Sequence, residues 1–101
     1  MKIVTNTDLD LLCPKCSSSY LTHDAVHVFN RKRNSKYGQH VTVYHGDIHQ
    51  DTYMTDNPSP KRSGVRLKFR CEECTTWFYL VLSEHEEGTK IFWEKAEKQY
   101  A

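Results

Sequence analysis

Two short cysteine pairs, Cys13-Pro14-Lys15-Cys16 and Cys71-Glu72-Glu73-Cys74, hold all four thiols of this 101-residue chain. Each pair has two residues between its cysteines. A tight turn of that length aims two thiolates in one direction. Two such turns facing each other complete a tetrahedral four-sulfur cage with metal–sulfur distances of about 2.3 Å. The spacing therefore predicts that Cys13, Cys16, Cys71 and Cys74 hold one structural Zn2+. A shell closed by four thiolates leaves no position for water or substrate, so the ion is expected to staple the fold and not to catalyse. A disulfide framework fits less well, because Met1 to Asn6 runs straight into Asp8 and Asp10 without the apolar stretch of a secretion leader. A thioredoxin-type pair would sit in a βαβ unit, whereas this chain patterns almost wholly as strand.

Other reactive groupings are sparse. His23 and His27 are four apart, as are His45 and His49. On a helix each pair would share a metal; on a strand residues four apart stand about 13 Å from each other. A second site would need a hairpin that sets His27 near His45 and His23 near His49, and surface histidines are the ordinary reading. The chain has no Gly-x-Ser-x-Gly, no phosphate loop and no His-Glu-x-x-His. His85 beside Glu84 or Glu86 is poorly placed for proton transfer, since neighbours on a turn point apart. A zinc deaminase would need His-x-Glu and only three protein ligands. No enzyme and no small-molecule substrate are expected.

Charge supplies the functional lead. The formal net charge is +1, and four thiolates with one zinc ion bring it to about −1. Bulk attraction to nucleic acid is therefore absent, but the charges are segregated. Lys61, Arg62, Arg66, Lys68 and Arg70 form one basic group; Arg31, Lys32, Arg33 and Lys36 form another. Glutamates 84, 86, 87, 94 and 97 gather near the C-terminus. Arg66, Lys68 and Arg70 alternate on a strand, about 6.5–7 Å apart, a spacing that tracks phosphates. Phe29, Tyr37 and Tyr44 are candidates to stack bases. Nucleic-acid binding by these residues in an accessory or regulatory protein is the first expectation. Docking on a protein partner, with zinc purely structural, is the alternative. A third, plainer reading makes the cations a solvated face partly paired with neighbouring glutamates.

The elements that must position these groups are strands. Leu21 to Arg31 alternates, with Val26 and Val28 on one side and Ala25, His27 and Phe29 on the other. His40 to His45 alternates with Val41 and Val43 inward and Thr42 and Tyr44 outward, and a weaker strand runs from Ile48 to Met54. Thr55 to Gly64, with two prolines, is a loop. Val65, Leu67 and Phe69 then face the core opposite the basic row. Trp77 to Leu82 is apolar throughout, as suits a central strand covered on both faces, and Thr89 to Trp93 closes the sheet. Trp77 and Trp93 are expected to pack across that last hairpin, and Leu11 and Leu12 to lie beneath the zinc. Glu94 to Ala101 reads as a short helical turn or a tail.

The fold expected is mainly β: a zinc ribbon with two Cys-x-x-Cys knuckles in one domain over residues 1–101, with a tail from about 95 to 101. The 54 residues between the knuckles far exceed the roughly 15–20 of a compact ribbon. The excess, about 25–55, is assigned to an inserted β-hairpin or meander in an antiparallel sheet. No stretch is long and apolar enough to span a membrane, and a cytoplasmic, reducing setting is expected. The chain resembles a group of small bacterial and phage zinc-ribbon proteins. The resemblance rests on Cys13-Pro14-x-Cys16, on Asn57-Pro58-Ser59-Pro60-Lys61-Arg62-Ser63-Gly64 running into Cys71-Glu72-x-Cys74, and on His85, Gly88-Thr89 and Trp93. It covers most of the chain apart from residues 30–55. It implies a β-rich zinc ribbon with a shared Asn57–Gly64 loop, and no known reaction.

Overall fold

The computed structural model describes Ile3 and residues 5–96. Six strands make one antiparallel sheet: β1 (Leu21–Asn30), β2 (Gln39–Tyr44), β3 (Asp47–Asp51), β4 (Gly64–Cys71), β5 (Trp77–His85) and β6 (Gly88–Lys95). Their order is β3-β2-β1-β4-β5-β6. The chain thus meanders outward from β1 to one edge, returns through residues 52–63, and meanders from β4 to the other edge. No helix occurs among the described residues.

Local chemistry accounts for the turns. β2 and β3 are joined by His45-Gly46, both at positive φ (51° and 81°). That is the mirror-image two-residue turn whose twist matches a hairpin, and Gly46 takes its left-handed conformation without steric cost. β1 carries a bulge at Asp24 between the register pairs His23–Phe69 and Ala25–Lys68. The extra residue lets His23 and Ala25 point to opposite faces although they are two apart.

Registers assign the faces. Ala25, His27 and Phe29 share one with His40, Thr42, Arg66, Lys68, Tyr79, Val81 and Ser83. Val26, Val28, Val41, Val43, Val65, Leu67, Leu80 and Leu82 share the other, flanked by Ile48 and Ile91 on the edge strands. Burial is split between the faces. Ala25, Phe29, Lys68, Val81 and Ser83 are buried on the polar face, and Phe78 and Trp93 on the aliphatic one. On the aliphatic face Val28, Val43, Ile48 and Ile91 are exposed, Ile48 by 71 %. The expectation that Val43 points inward is corrected accordingly, while Val41, Val65 and Leu67 are half-buried. The single sheet is covered in part by the returning loop, which lies on the polar face. There Ser83 Oγ donates to Pro58 O (3.2 Å) and Ser59 Oγ to Glu84 O (2.7 Å).

At one end the aliphatic face is closed by the cysteine turns. Cys13, Cys71, Phe78 and Trp93 form the buried cluster there, with Ile3, Leu11, Leu21, Phe69, Cys74 and Leu80 packed against it. Trp93 meets Phe69 and Phe78 edge-on, with ring centroids 5.7 and 6.1 Å away. Trp77 does not join it: register pairs Trp93 with Leu80 and Trp77 with Arg70, which puts the two indoles on opposite faces. The third strand stops at Asp51, short of Met54, while the last runs on through Glu94 to Lys95. The rest of the predicted tail, Glu97 to Ala101, lies outside the described residues.

Candidate metal centre and basic loops

The two cysteine turns are built alike. Cys13 N–H donates to Ser18 O (2.8 Å) and Ser17 N–H to Cys13 O (2.9 Å). In the second turn Cys71 N–H donates to Thr76 O (3.0 Å) and Thr75 N–H to Cys71 O (2.9 Å). Ser17 and Thr75, each just past the second cysteine, take positive φ of 65° and 58°, a left-handed kink that costs a side chain some strain. Lys15 N–H points at Cys13 Sγ from 3.4 Å. Amide donors of this kind stabilise a thiolate.

The turns meet face to face. Cys13 Sγ lies 3.7 Å from Cys74 Sγ, and Cys16 Sγ lies 3.5 Å from Cys71 Sγ. All four sulfurs fall within 4.8 Å of one another. Metal–sulfur bonds of about 2.3 Å at tetrahedral angles place sulfurs about 3.8 Å apart, so the cage already has the size of a metal's coordination shell. The four cysteines can hold one metal ion. Cys13 and Cys71 are buried, Cys74 is half-buried and Cys16 is exposed. The site therefore sits at the rim of the aromatic cluster, with its inner half in the core.

Acidities show how unfavourable the cage is without a cation. A hydrogen bond with the Thr76 hydroxyl, 3.4 Å away, leads the effects that bring Cys74 down to about 6. Burial pushes the Cys13 thiol up. Cys16 has a favourable backbone bond from Ser18, but burial and the three facing sulfurs outweigh it and push it up to about 12. Burial and the neighbouring sulfurs thus hold the Cys13 and Cys16 thiols up, and a dication would offset the repulsion between the sulfurs.

The basic residues divide in two. Arg66, Lys68 and Arg70 lie on one face of β4 as expected, but they are engaged. Arg66 pairs with Glu94 (2.7 Å) and lies over Tyr79; Arg70 pairs with Glu72 (3.0 Å). Lys68 is fully buried, 5.0 Å from the Trp77 ring. Burial lowers its pKa against the pull of Asp24. Arg31 is also occupied: it donates to Arg62 O (2.9 Å), Ser35 O (3.2 Å) and Ser59 O (2.8 Å), and so pins two loops together. Lys32, Arg33, Lys36 and Lys61 are exposed and Arg62 is half-buried. Folding brings these five to one end of the sheet, where Asn34 N–H donates to Lys61 O (2.9 Å). Two adjoining pockets open there. One, of about 390 Å³, is lined by Arg33, Lys61 and Arg62 but also by Glu84, Glu86 and Glu87. The other, about 330 Å³, is lined by Arg31, Lys36 and Lys61.

Of the proposed stacking rings only Tyr37 stands free, at 76 % exposure. Phe29 is buried against His40 (4.2 Å between rings), and Tyr44 stacks on His45 (3.8 Å). The His27–His45 and His23–His49 pairings considered for a second site do not form. Ala25 is opposite Tyr44, so His45 falls beside Asp24 (3.5 Å), and His27 meets His40 instead. His85 Nε2 bonds the buried Ser83 Oγ at 2.8 Å. The partnerships of His40 with Asp51 and of His85 with Ser83 escaped the sequence reading, although strand alternation places each pair on one face once the register is known.

Among the described residues no helix is long and apolar enough to cross a membrane, which says nothing of spanning strands. Comparison with protein-family models, with curated proteins and with solved structures gives no match to this chain.

Proposed function

We propose that this protein is a non-catalytic interaction module, stapled by one structural zinc ion, that docks a protein partner on its open aliphatic sheet face. The open face carries the proposal. Five strand spacings by about five residues give it a footprint of roughly 400 Å², within the range of the largest apolar patches on soluble monomers, which are often functional. Val28, Val43, Ile48 and Ile91 are its most accessible parts. Lys32, Arg33, Lys36 and Lys61 crown the end where Val28, Val41 and Val65 finish. The partner that fits is a flat apolar protein surface bordered on one side by acidic groups. Zinc is the ion of choice because four thiolates in a tetrahedral cage suit it.

The basic end also favours a second reading, nucleic-acid binding, now resting on Lys32, Arg33, Lys36, Lys61 and Arg62 with Tyr37 beside them. It ranks second because the β4 cations are already paired or buried, and because three glutamates share the larger pocket.

The test compares zinc-loaded wild type with a Val43→Lys/Ile48→Lys variant, both tagged and expressed in source cells. The docking reading expects a partner retained by wild type at about 0.3 M salt, where exposed charge pairs are screened, and lost from the variant. Equal co-purification by both proteins overturns it. So does sedimentation that shows wild type to be a dimer and the variant a monomer, since the face would then be closed by a second copy. Salt-sensitive binding to labelled DNA or RNA, abolished by Lys61→Glu but untouched by Val43→Lys/Ile48→Lys, would install the second reading.

A further inference from the structure

On the polar face, away from the cysteines, three donor atoms form a nearly equilateral triangle. His27 Nδ1 lies 3.2 Å from His40 Nε2, and Thr42 Oγ1 lies 3.2 Å from each. We propose that His27 and His40, with Thr42 between them, form a second metal site, for a divalent first-row transition ion of the imidazole-preferring kind. Bonds of about 2.0–2.1 Å at tetrahedral angles require donor atoms about 3.3–3.4 Å apart. The triangle therefore matches one face of a coordination tetrahedron with little movement.

The surroundings supply what a histidine ligand needs. Asp51 Oδ1 lies 3.0 Å from His40 Nδ1. The carboxylate accepts a hydrogen bond from that nitrogen, which leaves the Nε2 lone pair facing the triangle, the usual carboxylate–histidine–metal arrangement. Phe29 stacks on the His40 ring at 10° between planes and fixes its orientation. Burial, and then the neighbouring His40, hold the His27 pKa below its ordinary value, so its lone pair is available at neutral pH. His49 is opposite Thr42 in the β2–β3 register and exposed. It lies on the same face, and a side-chain rotation brings a third imidazole toward the triangle. As placed, only the four cysteines form a cluster of three or more such ligands among the described residues; the histidine site is half assembled and would close on the ion.

Nitrogen and oxygen donors distinguish this site from the sulfur cage, and two different ions separate them experimentally. Protein carrying one zinc per chain is dialysed and titrated with Ni2+ by calorimetry, with zinc content measured before and after. The expected result is one nickel bound per chain with the zinc retained. His27→Gln and His40→Gln should each weaken nickel binding by at least about tenfold, and Asp51→Asn by about 10–100-fold; His45→Gln should leave it unchanged. In unsubstituted protein, Ni2+ should broaden the His27 and His40 ring resonances before those of the other histidines. Absence of a nickel site in the zinc-loaded wild type overturns the proposal. So does binding that survives both His27→Gln and His40→Gln, or broadening that starts elsewhere.

Discussion

Removing the ion from the cysteine cage should unfold the domain. The magnitude follows from how little else holds it. The buried apolar residues among those described are Cys13, Ala25, Phe29, Cys71, Phe78, Val81, Trp93 and Ala96, and two of these are ligands themselves. A chain of this length has a net stability of about 5–15 kcal/mol. A structural zinc contributes on the order of 10–16 kcal/mol in zinc-finger peptides. The second range reaches or exceeds most of the first, so metal-free protein is left with little or no margin. The loss is also concentrated, because Leu11, Leu21, Phe69, Phe78 and Trp93 pack against the cage and lose their organising point with it. The assay is stepwise metal removal by a strong chelator under reducing conditions, followed by amide proton dispersion and thermal melting, then zinc restoration. Dispersion should collapse and return. Cys71→Ser should be worse than Cys16→Ser: both lose a ligand, but Cys71 is fully buried and its replacement strands a hydroxyl among apolar rings, costing a further ~1–3 kcal/mol. If metal-free, reduced protein kept a folded spectrum and a melting temperature within a few degrees of the loaded form, the staple argument would be refuted.

Three further outcomes follow from the loop and the polar face. Arg31→Lys keeps the charge but not the planar fork that reaches three carbonyls, and should cost about 2 kcal/mol, read as a melting temperature lower by roughly 10 °C. Gly64→Ala would set a Cβ 2.6 Å from Pro58 Cγ and 2.7 Å from Asn57 Oδ1, inside a loop already tied by Asn57 Nδ2 to Arg62 O. Overpacking of about 1–3 kcal/mol should appear in the same melts, and an unchanged midpoint would show that the loop yields. His27 has a lowered pKa in the folded state, so below its unfolded value of about 6.5 the unfolded chain binds more protons than the native one. Its contribution is intact above that pH and is lost as the pH falls toward the lowered folded value, where it levels off. Melts between pH 7.5 and 5 should show wild type losing more stability than His27→Gln; parallel losses would assign the acid sensitivity to other groups.

The sequence was most legible where chemistry depends on spacing alone. Two residues between paired cysteines specify a turn, and the turns came together as a metal-sized cage. Strict alternation in Val65–Arg70 and in Ala25–Phe29 specified strands and placed the right residues on common faces. Alternation cannot say which face is roofed. That depends on where residues 52–63 cross, and their anchors, Ser59 to Glu84 O and Arg31 to three loop carbonyls, are polar contacts between segments far apart in sequence. Histidine pairing failed for a related reason. It hangs on register, and the β1–β2 register shifts the meeting point from His45 to His40.

The burial of much of the polar face has a functional consequence. Burying a polar face is cheapest where its groups pair, and here several do: Arg66 with Glu94, His40 with Asp51, Ser83 with His85, although Arg66 Nε and Trp77 Nε1 are buried without a hydrogen-bond partner among the described residues. Lys68 sits among them against Trp77. Cations committed in this way are weak candidates for recognising phosphates, because each would have to leave a partner to do so. The aliphatic face has no such commitments. Val28, Val43, Ile48 and Ile91 are exposed on it, and docking there would remove apolar area from water at about 25 cal/mol per Å². A roughly 400 Å² footprint sets an upper bound of about 10 kcal/mol of gross driving force, against about 4–15 kcal/mol lost in association, so a partner docked by this face alone would be held weakly and reversibly. Val43→Lys/Ile48→Lys would bring two ammonium groups into that contact, which is why the open face, and not the basic strand, is the place to break the function first.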